Sequence, residues 1–149
     1  MRRLGPGQRL RVQASIFVNA PAALVRDVFA DYAGWPGVFP TISAVQLRER
    51  RGATLVLEVQ HVEGRVLNEP TVTDEHTIEL YEVKQRYDVT FVNRFDPVPE
   101  GTRYTVRGDF AFKGVARLVA RFLGWYVRRQ LIRLTLRPVQ EAAERRVAE

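Results

Sequence analysis

Between residues 42 and 112 the chain offers six strand-length segments in succession, and the stretch 115–137 that follows Gly114 contains one breaker, Gly124, before Pro138. The segments are 42–50, 53–62, 65–72, 77–84, 86–95 and 102–112. Gly52, Gly64, Thr73-Asp74-Glu75 and 97–101 supply turn chemistry between most of them. Sequential strands joined by short links pair as antiparallel hairpins. A sheet with one apolar face must be covered by another layer. Residues 115–137, as a helix about 35 Å long, form the one segment large enough to do so. The pattern predicts an α+β fold: a curved antiparallel sheet wrapped around a long C-terminal helix, which 139–147 continue beyond a kink at Pro138.

The N-terminal third adds a strand and short helices. In 9–18, Val12, Ala14, Ile16 and Val18 fall on one face, the period of a strand, which brings the sheet to seven. Asn19-Ala20-Pro21 marks a helix start, with Pro suited to the first turn. Leu24, Val25, Val28 and Phe29 follow at helical spacing, and the helix ends near Asp31. Residues 32–40 are too rich in Gly and Pro for a regular helix and read as one or two short turns packed through Trp35 and Phe39. Residues 1–8 read as a flexible tail, and 9–149 as one domain.

Composition removes several classes of chemistry. The 149 residues include no cysteine and only two histidines. Disulfides, thiolate metal sites and a Cys nucleophile are excluded, and a His-rich metal centre is not expected. No apolar run reaches the ~20 residues of a membrane span, and the basic N-terminus has no apolar stretch of a secretory signal after it. The expected compartment is the cytoplasm, and no cofactor or metal is expected. Charge is uneven: residues 1–30 carry net +4, 31–113 net −3 and 114–149 net +5.

Two stretches carry a family resemblance. NAPAALVRDVFADYAGWPGVFPTISAVQL, at 19–47, is similar to the opening of the START-like (SRPBCC) superfamily, where a strand leads into an xAPxxxV helix and a D-Y-x-x-[WY]-P-x-F-x-P segment. FDPVPEGTRYTVRGDFAFKG, at 95–114, resembles its hairpin into the last strand. The chain resembles the polyketide cyclase/dehydrase-like and coenzyme-Q-binding-like branches over residues 10–147. That resemblance implies the helix-grip fold, with a cavity between sheet and long helix that holds an apolar ligand such as a lipid, quinone or polyketide-like compound.

Strand alternation predicts the inward face. Leu55, Leu57, Val59 and His61 oppose Glu58 and Gln60. Ile78 and Leu80 oppose Glu79. Tyr87, Val89, Phe91, Asn93 and Phe95 oppose Arg86, Asp88 and Arg94. Tyr104, Val106, Gly108, Phe110 and Phe112 oppose Arg107 and Asp109, although a bulge at Gly108 would flip the faces beyond it. In 65–72, Val66, Asn68 and Val72 are placed inside. On the helix, Val115, Val119, Phe122, Leu123, Tyr126 and Val127 form one broad apolar face. The candidate ligand-binding residues are therefore Trp35, Phe39, Val59, His61, Asn68, Leu80, Tyr87, Phe91, Asn93, Tyr104, Phe110, Phe122 and Tyr126. Trp35 and Phe39 serve either as a lid or as a plug between sheet and helix. Apolar walls with a few polar anchors are the usual look of a small-molecule site, and also of an ordinary core.

Three functions follow. The first is binding of a small hydrophobic ligand, as carrier or sensor. The second is a cyclase, dehydratase or aromatase, whose acid and base would come from His61, Tyr87 or Tyr104 with Asn68 or Asn93 polarising a carbonyl. The residues favour binding, because they show no catalytic triad order, paired inward carboxylates or metal set. The third is docking to an anionic membrane, ribosomal RNA or a respiratory complex through Arg117, Arg121, Arg128, Arg129, Arg133 and Arg137, which lie between Gly114 and Pro138 with no acid among them. A solvated helix face is the plainer reading of that run. Trp125, Ile132 and Leu136 leave monomer and dimer both open.

Overall fold

The computed structural model describes residues 9–114, 116 and 122–149. Strand β1 (Arg9–Val18) leads into α1 (Ala22–Ala30) and a 3₁₀ segment (Tyr32–Gly37). Six strands follow: β2 (Ile42–Arg51), β3 (Thr54–His61), β4 (Gly64–Asp74), β5 (Thr77–Val83), β6 (Tyr87–Val98) and β7 (Gly101–Phe112). They form one seven-stranded antiparallel sheet in the order β1-β7-β6-β5-β4-β3-β2. The first strand thus closes against the last, and β2 forms the far edge.

The C-terminal element differs from the expectation at Pro138. Its described part runs from α2 (Gly124–Leu131) through a π-helical turn (Ile132–Leu136) into α3 (Arg137–Ala148). Pro138 does not interrupt it. A proline ring clashes with the carbonyl four residues back and offers no N–H. Here the preceding turn is widened, and the Arg137 N–H bonds Ile132 O, five residues back. Val115 and 117–121, which include Arg117, Val119 and Arg121 of the expected helix, lie outside the described residues.

The helix packs on β1 and β7 and against α1. Its buried residues are Leu131, Leu136, Pro138, Val139, Ala142 and Ala143. The step of five from Leu131 to Leu136 is the residue that the π turn inserts. Phe122, Trp125 and Tyr126 are 63%, 71% and 48% exposed. The expectation that Phe122 and Tyr126 face the sheet is therefore corrected: the apolar face is broad, and only its Val127–Leu131 side meets the core. Leu136 is buried in that core and Ile132 half-buried against it, so Trp125 alone of the three suggested partner-seeking residues is fully on the outside.

The core joins α1, the 3₁₀ segment, the helix and the concave face of the sheet. Trp35 is central to it. Its Nε1 donates to Phe29 O at 2.8 Å, and its ring meets Phe29, Tyr32 and Phe39 at centroid distances of 5.7, 5.2 and 5.6 Å. Trp35 and Phe39 are 2% and 6% exposed, so they plug the gap between sheet and helix. Strand β7 keeps its register through Gly108. A Cβ there would come within 2.6 Å of the Phe110 ring, so the glycine makes room for the edge-on Phe91–Phe110 pair. Val72 is the strand residue placed wrongly. It shares the parity of Asn68 but lies beside a register shift at the end of β4, and it is 40% exposed.

Candidate functional site

The register sets two groups of polar side chains on the concave face. The first lies deep. Asn93 of β6 is paired with Val106 of β7, and Tyr104 with Phe95. Tyr104 Oη donates to Asn93 Oδ1 at 2.7 Å, and Asn93 Nδ2 donates to Ile78 O at 3.4 Å. The Tyr104 ring stacks on Phe95 at 4.9 Å. Both residues are almost wholly buried, and burial drives the Tyr104 phenol well above its ordinary pKa. Every polar atom of this group that needs a partner has one, and the phenol is shut away from solvent.

The second group sits toward the β3–β4 and β5–β6 hairpins. Asn68 of β4 is opposite Leu57 on one side and Glu82 of β5 on the other, and Glu82 is opposite Val89 of β6. The inward parity of Ile78 and Leu80 continues to Glu82 and then Lys84. Lys84 Nζ lies 3.7 Å from Glu82 Oε2, donates to Tyr87 Oη at 3.2 Å and stands 5.3 Å from the Tyr87 ring centre. Tyr87 packs on Phe110 and Phe112 at 5.4 and 5.6 Å. Asn68 is 2% exposed, and its Oδ1 is buried without a hydrogen-bond partner. Such an orphan costs about 1–3 kcal/mol.

Electrostatics tie the group together. Burial pushes the Glu82 carboxyl upward, against the pull of Lys84. Burial works against the Lys84 ammonium, but Glu82 and Tyr87 outweigh it, and its pKa stays above the ordinary lysine value. Burial raises the Tyr87 phenol although Lys84 opposes this, so Tyr87 remains a proton donor at neutral pH. His61 is lowered, first by burial and then by the Lys84 charge, with Glu63 pulling the other way. Its Nδ1 accepts from the Glu63 N–H at 3.4 Å. The arrangement offers an ammonium and a phenol to an oxygen acceptor, and a free amide oxygen to a donor. Among the described residues no group of three or more His, Asp or Glu side chains is placed to hold a metal ion.

The structure therefore divides the sequence candidates. It gathers His61, Asn68 and Tyr87 at one end and Asn93 and Tyr104 at the other. Val59, Leu80 and Phe110 are buried and Phe91 half-buried along the concave face. Glu82 and Lys84 were missed. The alternation that turned Ile78 and Leu80 inward reaches both, but charged residues are discounted at inward positions because burial is costly. Arg128, Arg129, Arg133 and Arg137 are exposed, and Arg128 Nε donates to Gln13 O at 3.2 Å.

The chain belongs to the family described as polyketide cyclase/dehydrase and lipid transport, which matches residues 9–137. Its fold is that of the START-like superfamily. An aromatase/cyclase, Zhui of Streptomyces sp. R1128, is 18% identical with a TM-score of 0.76, over 93% of this chain and 96% of that one. A START superfamily protein of Mycobacterium smegmatis is 16% identical with a TM-score of 0.68, over 91% and 97% of the two chains. Ara h 8.0201 is 18% identical with a TM-score of 0.72, over 91% and 97%. No curated protein sequence matches the chain. No helix among the described residues is long and apolar enough to cross a membrane.

Proposed function

We propose that the protein binds a small, mainly apolar molecule with an oxygen-bearing end against the concave face of the sheet, as a carrier or sensor. The single observation that carries this is the buried, unpartnered Oδ1 of Asn68 beside the Lys84–Tyr87–Glu82 group. A native polar atom left unsatisfied calls for an explanation, and a ligand hydroxyl supplies one. A carbonyl or phenolic oxygen would accept from Lys84 or Tyr87, while Leu57, Val89 and Phe110 supply apolar wall. A ligand carrying both a hydroxyl and a carbonyl, in the manner of a polyketide-like compound, meets both requirements.

Native mass spectrometry of the purified protein, followed by organic extraction, tests this. The expected result is a defined apolar molecule retained by the wild type and lost from Lys84→Met and Asn68→Leu. A bare-chain mass together with no uptake of a fluorescent apolar probe would overturn the reading.

A second reading has its own support. Glu82 and Tyr87 flank Lys84, so a base and an acid stand at one site, as removal of a proton beside a carbonyl followed by loss of hydroxide as water requires. Turnover of a β-hydroxy ketone, abolished by Glu82→Gln and by Tyr87→Phe, would establish this dehydratase-type activity. Turnover equal in both variants would exclude these residues from it.

A further inference from the structure

A separate pocket of about 480 Å³ opens between the segment Pro36–Pro40 and the C-terminal helix. Its helix side carries Arg133, Arg137, Glu141 and Arg145. These are successive i, i+4 positions, so one stripe of α3 and the turn before it faces the opening. Three guanidinium groups against one carboxylate leave a net charge of two positive units at the pocket.

The charges do not cancel within the protein. Arg133 Nε and Nη2 donate to Gln130 Oε1 at 3.2 and 2.8 Å, which leaves its charge unpaired. Among the described residues the side chains of Arg137, Arg145 and Glu141 make no ion pair or hydrogen bond, although Glu141 stands four residues from each arginine. Arg146, the neighbour of Arg145, turns away and pairs with Asp31 at 3.7 Å. Arg133 and Arg137 are like charges spaced i, i+4, an arrangement that disfavours a helix. The opposite wall is Pro36, Gly37, Val38, Phe39 and Pro40, an apolar surface whose Phe39 is held edge-on by the buried Trp35. Guanidinium groups match the planar, bidentate geometry of phosphate oxygens, and a phosphate monoester carries about −1.5 to −2 at neutral pH.

We propose that this pocket binds the phosphate monoester end of a molecule whose apolar part lies against Pro36–Pro40. The site is independent of the Asn68–Lys84 group. A carboxylate monoanion would leave one positive charge unmet, and an uncharged ligand both.

The test is a titration of the full chain with phenyl phosphate, followed by ¹H–¹⁵N chemical shifts, with inorganic phosphate and benzoate in parallel. Saturable shifts at Pro36–Pro40 neighbours and along 133–145 are expected. Phenyl phosphate should bind at least tenfold more tightly than benzoate, and Arg137→Gln/Arg145→Gln should weaken it at least tenfold. Arg129→Gln, on the exposed helix surface outside the pocket, should leave it unchanged. Circular dichroism of each variant checks that the fold is kept. Vesicles bearing phosphatidic acid separate a lipid source from a soluble one, since tighter binding to vesicles than to phenyl phosphate assigns the phosphate to a lipid headgroup. Non-saturating shifts, equal binding of benzoate, or equal loss in Arg129→Gln would overturn the proposal and leave only diffuse positive charge. Retention of an apolar ligand by Arg137→Gln/Arg145→Gln is read in the same samples, so failure here is distinguishable from failure of the concave site.

Discussion

The concave face of the sheet holds two Asn–Tyr sets built from the same residue types on the same inward parity, and they behave oppositely. Asn93 and Tyr104 bond each other, borrow the Ile78 carbonyl and are almost wholly buried. Asn68 and Tyr87 do not meet. Tyr87 takes Lys84 as its partner, and Asn68 Oδ1 takes none. A buried polar network whose members are satisfied fixes a core, whereas one left partly unsatisfied marks a place where something else completes it. Residue type and strand parity cannot separate the two cases. The inventory of partners does.

The widest separation should come from Tyr104. Tyr104→Ala removes a fully buried ring stacked on Phe95 and should cost about 3–5 kcal/mol, by analogy with large-to-small aromatic changes in cores. Tyr104→Phe leaves Asn93 Oδ1 without its donor and should cost about 1–3 kcal/mol. Denaturant unfolding reads both, and equal stability of Tyr104→Phe and wild type would erase the distinction between the two sets.

Next comes Lys84→Met. It should weaken retention of an apolar ligand at least tenfold, about 1.4 kcal/mol, with displacement of a fluorescent probe as the readout. Undiminished binding would move the ligand away from this end of the sheet.

Glu82 gives the same contrast a pH signature. Its folded pKa is raised above the unfolded value near 4.5, chiefly by burial. The folded state therefore keeps this proton to higher pH than the unfolded chain does. The stabilisation is complete below the unfolded value and is lost as pH rises through the folded one. Stability of the wild type should fall over that window, and Glu82→Gln should flatten the fall. A slope unchanged in the variant would assign the titration elsewhere.

Asn68→Leu should change stability by no more than about 1 kcal/mol in either direction, because it removes an orphan acceptor along with its desolvation cost. It should nonetheless lose ligand. A destabilisation as large as that of Tyr104→Phe would mean that Asn68 is a satisfied core residue after all.

The smallest effect belongs to His61, whose folded pKa is lowered from 6.5 by burial and by Lys84. Its contribution is present above the unfolded value and is lost as pH falls through the folded one, opposite in sign to that of Glu82. His61→Gln should remove a shallow acid-side decline, visible in midpoints measured between pH 5 and 7.

Much of this architecture was legible along the chain. Val12, Ala14 and Val18 alternate with exposed residues as a strand must, and Val25, Val28 and Phe29 recur at the spacing of a helix. These elements are set by local sterics and by burial of one face, both of which leave a periodic trace. The two Asn–Tyr sets were visible as inward polar positions, because strand parity is unbroken where they stand on β4, β6 and β7. Val72 escaped, since a register shift next to it is a property of pairing and not of its own strand. Phe122 and Tyr126 escaped because an apolar helix face wider than its contact leaves some of its residues outside.

Strand count, helix positions and the inward stripe were thus written in the order of residues, since each depends on neighbours a few places away. Which polar group is closed and which is open depends on groups brought together across strands. Asn68 comes opposite Glu82 only after β4 and β5 pair, and Tyr104 reaches Asn93 only after β6 and β7 pair. Pro36–Pro40 meets Arg133, Arg137 and Arg145, about a hundred residues away in the chain, only once the helix has packed beside the 3₁₀ segment. Hydrogen-bond satisfaction and charge neutralisation are short-ranged in space and blind to sequence distance, and so the tertiary structure alone decided them.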